Sequence, residues 1–285
     1  MVTCQSRYCV RHANALPLAE RRSMSTGVAR GPEFVQSLER GLAVIRAFDG
    51  EHREMRLSEV AAATGLTRAA ARRFLLTLAE LGYVRAQDGR FSLRPRVLDL
   101  GYAYLSGLGF AELAEPHMER LVGELNESSS ISVLDDTDVV YVVRVPTRRI
   151  MTITLAVGTR LPAYATSMGR VLLAQLPPAE LRERLARIEP RKLTPHTLTS
   201  KRALRAELAR VAEQGYATVD QELELGLRSA AVPLRDGRGN RAALNVSVHA
   251  SRAGMDELRD RFLPPLRATA AAIEADLRGP GAARG

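Results

Sequence analysis

The chain of 285 residues is poor in the groups from which most small chemical sites are built. Its two cysteines, Cys4 and Cys9, have no partner ligands near them in sequence. That argues against a disulfide framework or a metal site and places the chain in the cytoplasm. No apolar run approaches the ~20 residues of a membrane span, so no membrane partner is expected. Residues 1–23 hold arginines but no continuous apolar core, unlike a signal peptide. The histidines, His12, His52, His117, His196 and His249, are scattered, and none falls in a His-x-x-x-His or His-x-x-Glu-His spacing. There is no Gly-x-Ser-x-Gly elbow, no phosphate loop and no dinucleotide fingerprint, so neither an enzyme nor a bound cofactor is expected. Lysine is nearly missing too. Lys192 and Lys201 stand among 41 basic residues, and arginine carries the rest of a net charge of +9. Arginine usage of this kind fits genome composition as well as guanidinium chemistry, but a pI near 10.2 favours a polyanionic partner.

What is present centres on Leu57 to Leu93, LSEVAAATGLTRAAARRFLLTLAELGYVRAQDGRFSL. Ser58 is an expected N-cap, Ala61 to Ala63 carry a short helix forward, and Gly65 ends it. Thr67 caps a second helix running to about Leu81, which Gly82 stops. Ala71, Phe74, Leu75, Leu78 and Leu81 recur at steps of three and four, forming a buried stripe. Arg68, Ala69, Arg72 and Arg73 lie on the other side, and no carboxylate occurs between Thr67 and Ala79. Small residues and arginines at the start of a second helix suit the major groove of DNA. Val84-Arg85-Ala86 and Arg90 to Leu93 flank Gln87-Asp88-Gly89, a strong hairpin signal. The pattern is a winged helix-turn-helix. Its DNA-facing candidates are Ser58, Thr67, Arg68, Ala69, Ala70, Arg72 and Arg73, with Arg85 and Arg90 on the wing. The alternative is an arginine-rich solvated helix in a small bundle.

The rest of the chain divides around this stretch. Residues 1–32 show no sustained period and read as a disordered tail, with Met24 an alternative start. Ser37 to Phe48 is an amphipathic helix with Leu38, Leu42, Ile45 and Phe48 on one side, completing a DNA-binding domain at 33–94. Asp49 to Arg56 reads as a charged loop. Pro95 opens a linker helix over 95–110, and Val97, Leu98, Leu100, Gly101, Tyr104 and Leu105 widen its apolar surface. Such a helix either packs against a second chain or simply joins domains. Residues 111–278 form a second domain, followed by a tail at 279–285. Phe110 to Leu125 is helical. Strands follow at Ile131 to Leu134, Val139 to Val145 and Ile150 to Leu155, the first two joined by Asp135-Asp136-Thr137-Asp138. Helices at Met168 to Leu176, Pro178 to Arg187 and Ser200 to Gln214 precede strands at Tyr216 to Val219, Ser229 to Leu234 and Ala242 to His249. Asp236-Gly237 turns between the last two strands. Met255 to Leu277 closes the chain as helix, broken at Pro264-Pro265. The fold class is α/β (α+β) with a mainly antiparallel sheet.

Small polar residues in the second domain are the remaining chemistry. Thr166, Ser167 and Gly169 open a helix whose free N–H groups suit a carboxylate. Ser229 starts one strand, and Asn245 and Ser247 share a face of another. They either bond one another or hold a small acid.

Together these residues resemble the IclR family of bacterial transcriptional regulators. The resemblance rests on the winged helix at 37–93, on Gly158-Thr-Arg-Leu-Pro-Ala-Tyr-Ala-Thr-Ser-Met-Gly-Arg170, and on Gly215-Tyr-Ala-Thr-Val-Asp-Gln-Glu-Leu-Glu-Leu-Gly-Leu-Arg-Ser229, with Gly215 and Glu222 in register. It covers about residues 34 to 278 and is nearest the subgroup regulating protocatechuate, 4-hydroxybenzoate and β-ketoadipate catabolism. It implies a GAF-like effector domain for a small aromatic or dicarboxylic acid. It also implies homodimers or homotetramers on a palindromic DNA operator, with RNA polymerase a candidate partner. The effector residues it implies are Ser167, Met168, Gly169, Val219, Ser229, Asn245 and Ser247; Thr166, at the start of the same helix, and Asp220, next to Val219, are candidates beside them. Val219 stands where many members carry an acidic or hydroxyl side chain, and Ser229 where cysteine is common. Val219 favours an apolar or aromatic ligand body.

Overall fold

The computed structural model describes residues 31–108, 110–147, 155–235 and 241–278, and the chain divides into two compact units between Tyr104 and Leu105. The expected strand before Leu155, the Asp236-Gly237 turn, Cys4, Cys9, His12, Met24 and nearly all of both tails lie outside the described residues.

The first unit runs α1 (Gln36–Arg46), β1 (Glu54–Arg56), α2 (Leu57–Thr64), α3 (Arg68–Glu80), β2 (Val84–Gln87) and β3 (Arg90–Leu93). Gly65 closes α2 at φ 66°, a left-handed conformation open to a residue without Cβ. Thr67 then caps α3, its Oγ1 accepting the Ala70 N–H at 3.2 Å. Asp88 (φ 50°) and Gly89 (φ 72°) form a two-residue turn whose positive φ angles match the twist of β2 and β3. Val44, Phe48, Val60, Leu75, Val84 and Phe91 are among the residues buried between these elements.

Four details differ from the sequence reading. The charged loop ends in a third strand, β1, which pairs with β3 and buries Met55 against the core. Ser58 is not the cap. Helix α2 begins one residue earlier, and Glu59 Oε2 accepts the Arg56 N–H at 2.6 Å, so a carboxylate does the capping instead. Leu38 and Leu42 are 64% and 40% exposed, because the core meets only the C-terminal end of α1 through Val44, Ala47 and Phe48. Leu81, past the last turn of α3, is also exposed.

A short 3₁₀ turn (Pro95–Leu98) leads into α4 (Asp99–Leu108), with Pro95 at its first position as expected. Leu98, Leu100, Tyr102 and Tyr104 are exposed along it.

The second unit contains α5 (Phe110–Leu125), β4 (Ser128–Asp135), β5 (Asp138–Val145), β6 (Arg160–Pro162), α6 (Ser167–Ala174), α7 (Pro178–Arg187), α8 (Lys201–Gln214), β7 (Ala217–Asp220), β8 (Leu227–Arg235), β9 (Arg241–His249) and α9 (Leu263–Arg278). The strands form one antiparallel sheet in the order β6-β5-β4-β9-β8-β7. One face packs on α5 and α9 through Met118, Leu121, Ile131, Leu244, Leu266 and Ile273. The other packs on α6, α7 and α8 through Met168, Leu172, Leu185, Leu204 and Leu208. Strand β6 escaped the sequence reading because three residues show no period. Pro264 and Pro265 do not break the final helix. They occupy the first turn of α9, where a missing N–H costs little, and the irregularity is a π-helical turn (Leu258–Phe262) just before them. The acidic turn at 135–138 is held by arginine: Asp135 and Asp138 bind Arg160 at 2.5 and 3.3 Å, and Asp136 binds Arg187 at 2.8 Å.

Two local features position the interior of this unit. A β-bulge lies at Val142: Ser132 opposes Tyr141, yet the preceding Ile131 opposes Val143. Val142 and Val143 both enter the core on the α5 side, so Tyr141 and Arg144, three residues apart, emerge on the same opposite face. Gly169 is the second feature, since a Cβ there would meet Ala163 O at 2.2 Å. Helix α6 therefore lies directly on the backbone of the preceding turn. In an ordinary helix interior Gly→Ala gains about 1 kcal/mol. Here the contact reverses the sign, and Gly169→Ala is expected to cost about 1–3 kcal/mol. A urea midpoint lower than wild type checks this; a raised midpoint would show that the approach is not tight.

Candidate DNA-binding surface and ligand cavity

On the first unit, Arg68, Ala69, Arg72 and Arg73 are exposed along the start of α3, with Ala70 half-buried beside them. The face opposite carries Ala71, Leu75 and Leu78 into the core. Thr67 is exposed and engaged as the cap, and Ser58 is exposed in the first turn of α2. Arg85 and Arg90 are exposed on the wing, and Arg90 stands opposite Gln87 on one side and Arg56 of β1 on the other. Two arginines facing each other across a ladder repel unless a counter-charge sits between them. Among the described residues, no carboxylate forms an ion pair with any of these arginines. The surface is a free polycation, and its natural counter-charge is a phosphate backbone.

The second unit holds a narrow cavity, open to solvent at its mouth, against the α6 face of the sheet. Thr166, Ser167, Met168, Val219, Ser229, Asn245 and Ser247 line it, seven of the sequence-selected residues brought together from α6, β7, β8 and β9. Gly169 and Asp220 are not among the lining residues. Gly169 is pressed on Ala163, and Asp220 binds Arg228 at 2.7 Å, a hydrogen bond that holds its carboxyl below the usual range. Thr166 caps α6, its Oγ1 accepting the Gly169 N–H at 3.1 Å.

Tyr141, Arg144, Leu155, Ala165, Leu223 and Leu227 complete the described lining. Among the described lining residues Arg144 is the single cation, and none is a carboxylate. The half-buried guanidinium donates to Ser130 Oγ at 3.2 Å and has no ion-pair partner among the described residues. Burial depresses its pKa, but a guanidinium remains charged, with most of its five N–H donors unspent. The buried Tyr141 phenol has its pKa pushed up to about 12 by desolvation, so it stays a neutral O–H at physiological pH. Beside it on β4, the Ser132 hydroxyl is buried with no hydrogen-bond partner among the described residues.

Two walls of the cavity are tied together from behind. Arg170, 2% exposed, donates to Glu222 Oε2 at 2.6 Å and to the Tyr164 carbonyl at 3.1 Å. The same Glu222 oxygen accepts the Leu198 N–H at 2.8 Å, and Thr197 Oγ1 donates to the Glu222 carbonyl at 2.7 Å. The pair fixes α6, which carries Ser167 and Met168, against the segment that carries Leu223. Breaking one partner of such a buried pair costs far more than the pair contributes.

Residues 37–88 match the model of the IclR helix-turn-helix domain, and residues 102–275 that of the bacterial transcriptional regulator IclR C-terminal domain. The chain belongs to the IclR family. The family is one of transcriptional regulators rather than enzymes. The chain is 45% identical over 239 residues to the Pca regulon regulatory protein of Pseudomonas putida, covering 83% of this chain and 82% of that one. It is 35% identical over 247 residues to the p-hydroxybenzoate hydroxylase transcriptional activator of Acinetobacter baylyi, covering 85% and 91%. Among solved structures, an IclR homologue from Microbacterium hydrocarbonoxydans complexed with 4-hydroxybenzoate superimposes with a TM-score of 0.75 at 27% identity, covering 85% of this chain and 98% of that one.

In this IclR-family chain the lining residues that sequence reasoning missed have two causes. Strand alternation puts positions 141 and 144 on opposite faces, and only the bulge at Val142 reunites them. Leu155, Leu223 and Leu227 are ordinary apolar residues whose place depends on tertiary packing. Arg56 was missed because its strand was read as loop. On the DNA side, Arg72→Ala is expected to cost about 1–3 kcal/mol at the cognate operator with relaxed discrimination, if the guanidinium reads a base. A gel-shift comparison of cognate and random duplexes checks this, since equal losses on both would make Arg72 a phosphate contact.

Proposed function

We propose that this IclR-family regulator binds a palindromic operator as a homodimer or homotetramer and controls catabolism of aromatic acids in response to an aromatic monocarboxylic acid. Arg144 carries the reading: an unpaired guanidinium in an otherwise uncharged, largely apolar cavity needs one carboxylate, and a carboxylate can satisfy it bidentately. Leu155, Met168, Val219, Leu223 and Leu227 supply apolar walls for a ring. A dicarboxylate would leave its second charge without a cation, which favours the aromatic monocarboxylate. The name of the p-hydroxybenzoate hydroxylase transcriptional activator and the 4-hydroxybenzoate complex of the structural neighbour agree with it.

In this reading Arg68, Ala69, Ala70, Arg72 and Arg73 enter the major groove with Thr67 and Ser58 at its edge. Arg85, Arg90 and Arg56 hold phosphates beside it. The exposed Leu98, Leu100, Tyr102 and Tyr104 give the linker an apolar surface for a second protomer. Thr166, Ser167, Met168, Val219, Ser229, Asn245 and Ser247 surround the acid, and Gly169 and Asp220 support them from outside the cavity. The acid alters operator affinity only by its differential affinity for two arrangements of the protein. The regulator works in the cytoplasm, and operator placement determines how it meets RNA polymerase.

A gel-shift titration with benzoate, 4-hydroxybenzoate, protocatechuate and succinate tests the proposal, with the aromatic acids expected to shift operator binding and succinate not. Arg144→Gln is expected to weaken the response to the aromatic acids roughly 10–100-fold in concentration, the worth of a charge-assisted hydrogen bond, with operator binding retained. An unchanged midpoint in that variant would refute the assignment.

A further inference from the structure

We propose that Leu76 is a sequence-reading residue of the DNA-binding surface, its side chain packing on the 5-methyl group of a thymine in the major groove. This rests on the reading of α3 as the groove-facing helix, and adds to its arginines a contact that carries no charge.

The place of Leu76 follows from helix geometry. Each residue turns an α-helix by about 100°, so a residue seven positions on returns to nearly the same direction. Ala69 and Leu76 are therefore aligned, roughly 10 Å apart along α3. Arg72 and Arg73 flank the line that joins them, about 50° to either side. Ala71, Leu75 and Leu78 enter the core on the opposite side, and the Phe74 ring lies beside Gly41 of α1. Leu76 is 42% exposed and takes no part in the core of the first unit. It stands at the centre of the surface that α3 presents to solvent.

The chemistry around Leu76 rules out a polar reading at this point. The Thr77 hydroxyl spends its one proton on the Arg73 carbonyl at 2.9 Å and has none left for a base. Ala69 and Leu76 have no hydrogen-bonding side-chain group at all. The centre of the face is thus an apolar strip edged by two guanidiniums with no ion-pair partner among the described residues. Those cations draw the strip onto a polyanion. The run without a carboxylate extends past Leu76 to Ala79 and ends only at the exposed Glu80, so Leu76 lies inside the stretch that a phosphate backbone tolerates. In the major groove the apolar group on a base edge is the thymine methyl. Against guanine, cytosine or adenine the leucine would instead cover donors and acceptors without replacing their bonds to water. That difference makes an apolar contact selective.

The test is to select duplexes from a random-sequence pool with the full chain, then replace each selected thymine by uracil, which lacks only the methyl. At one thymine the replacement is expected to weaken wild-type binding about three- to fivefold, the worth of one buried methyl. Leu76→Ala is expected to bind the thymine and uracil duplexes equally, within about 1.5-fold. Leu76→Gln, of similar length and a good helix former, is expected to lose the difference as well, so the outcome does not hang on the truncation. Leu76→Met, still apolar, is expected to keep it. The same uracil sensitivities in wild type, Leu76→Ala and Leu76→Gln, or no thymine sensitive to uracil, would overturn the role of Leu76 while leaving that of Arg72 and its neighbours intact. Wild type selecting no sequence from the pool would overturn the groove-facing reading of α3 itself.

Discussion

The second unit depends on an arginine that the fold brings inside and leaves uncompensated. Strand β5 delivers Arg144 into the cavity through the bulge at Val142, which turns two consecutive valines toward the α5 core and returns Tyr141 and Arg144 together to the other face. A half-buried guanidinium with one hydroxyl partner is an unfavourable arrangement for an empty protein. Part of that cost becomes binding free energy when an anion arrives, because the guanidinium is already partly desolvated and its donors are already placed. Leucine, methionine and valine surround the cation, and among the described lining residues an anion finds no competing positive group. The arrangement is stable only because its walls are held from outside. Arg170 and Glu222 perform that task, with backbone and hydroxyl partners that leave neither charge exposed to the cavity.

The two units use arginine in opposite ways. On α3 and the wing the guanidiniums are exposed, numerous and free of carboxylates, which suits a long polyanion whose contacts are individually weak and collectively salt-dependent. In the cavity a single half-buried guanidinium stands among the described lining residues, and there a contact with one carboxylate would be worth more than a contact on the surface. The near-absence of lysine means that both jobs fall to the same side chain, and burial alone separates them.

Much of the first unit could be read from the chain because its signals are local. Gly65, Thr67, Asp88 and Gly89 each impose a backbone geometry within a few residues, and all adopt the expected form. The helices and most strands of the second unit follow for the same reason, as do the serines and the asparagine that face the cavity. Signals that depend on distant partners were not legible. Strands β1 and β6 are three residues each and exist because β3 and β5 offer an edge. The cap of α2 went to a carboxylate three residues on rather than to the nearer hydroxyl. Arg144 was the costliest omission, since a one-residue bulge inverts the alternation on which any strand reading relies.

The most direct test is a crystal structure of the full chain with 4-hydroxybenzoate bound. The expected result places both carboxylate oxygens on the Arg144 guanidinium, at about 2.7–2.9 Å, with the ring lying across β4 and β9. A carboxylate seated instead on the free N–H groups at the start of α6, with Arg144 still bound only to Ser130, would contradict it.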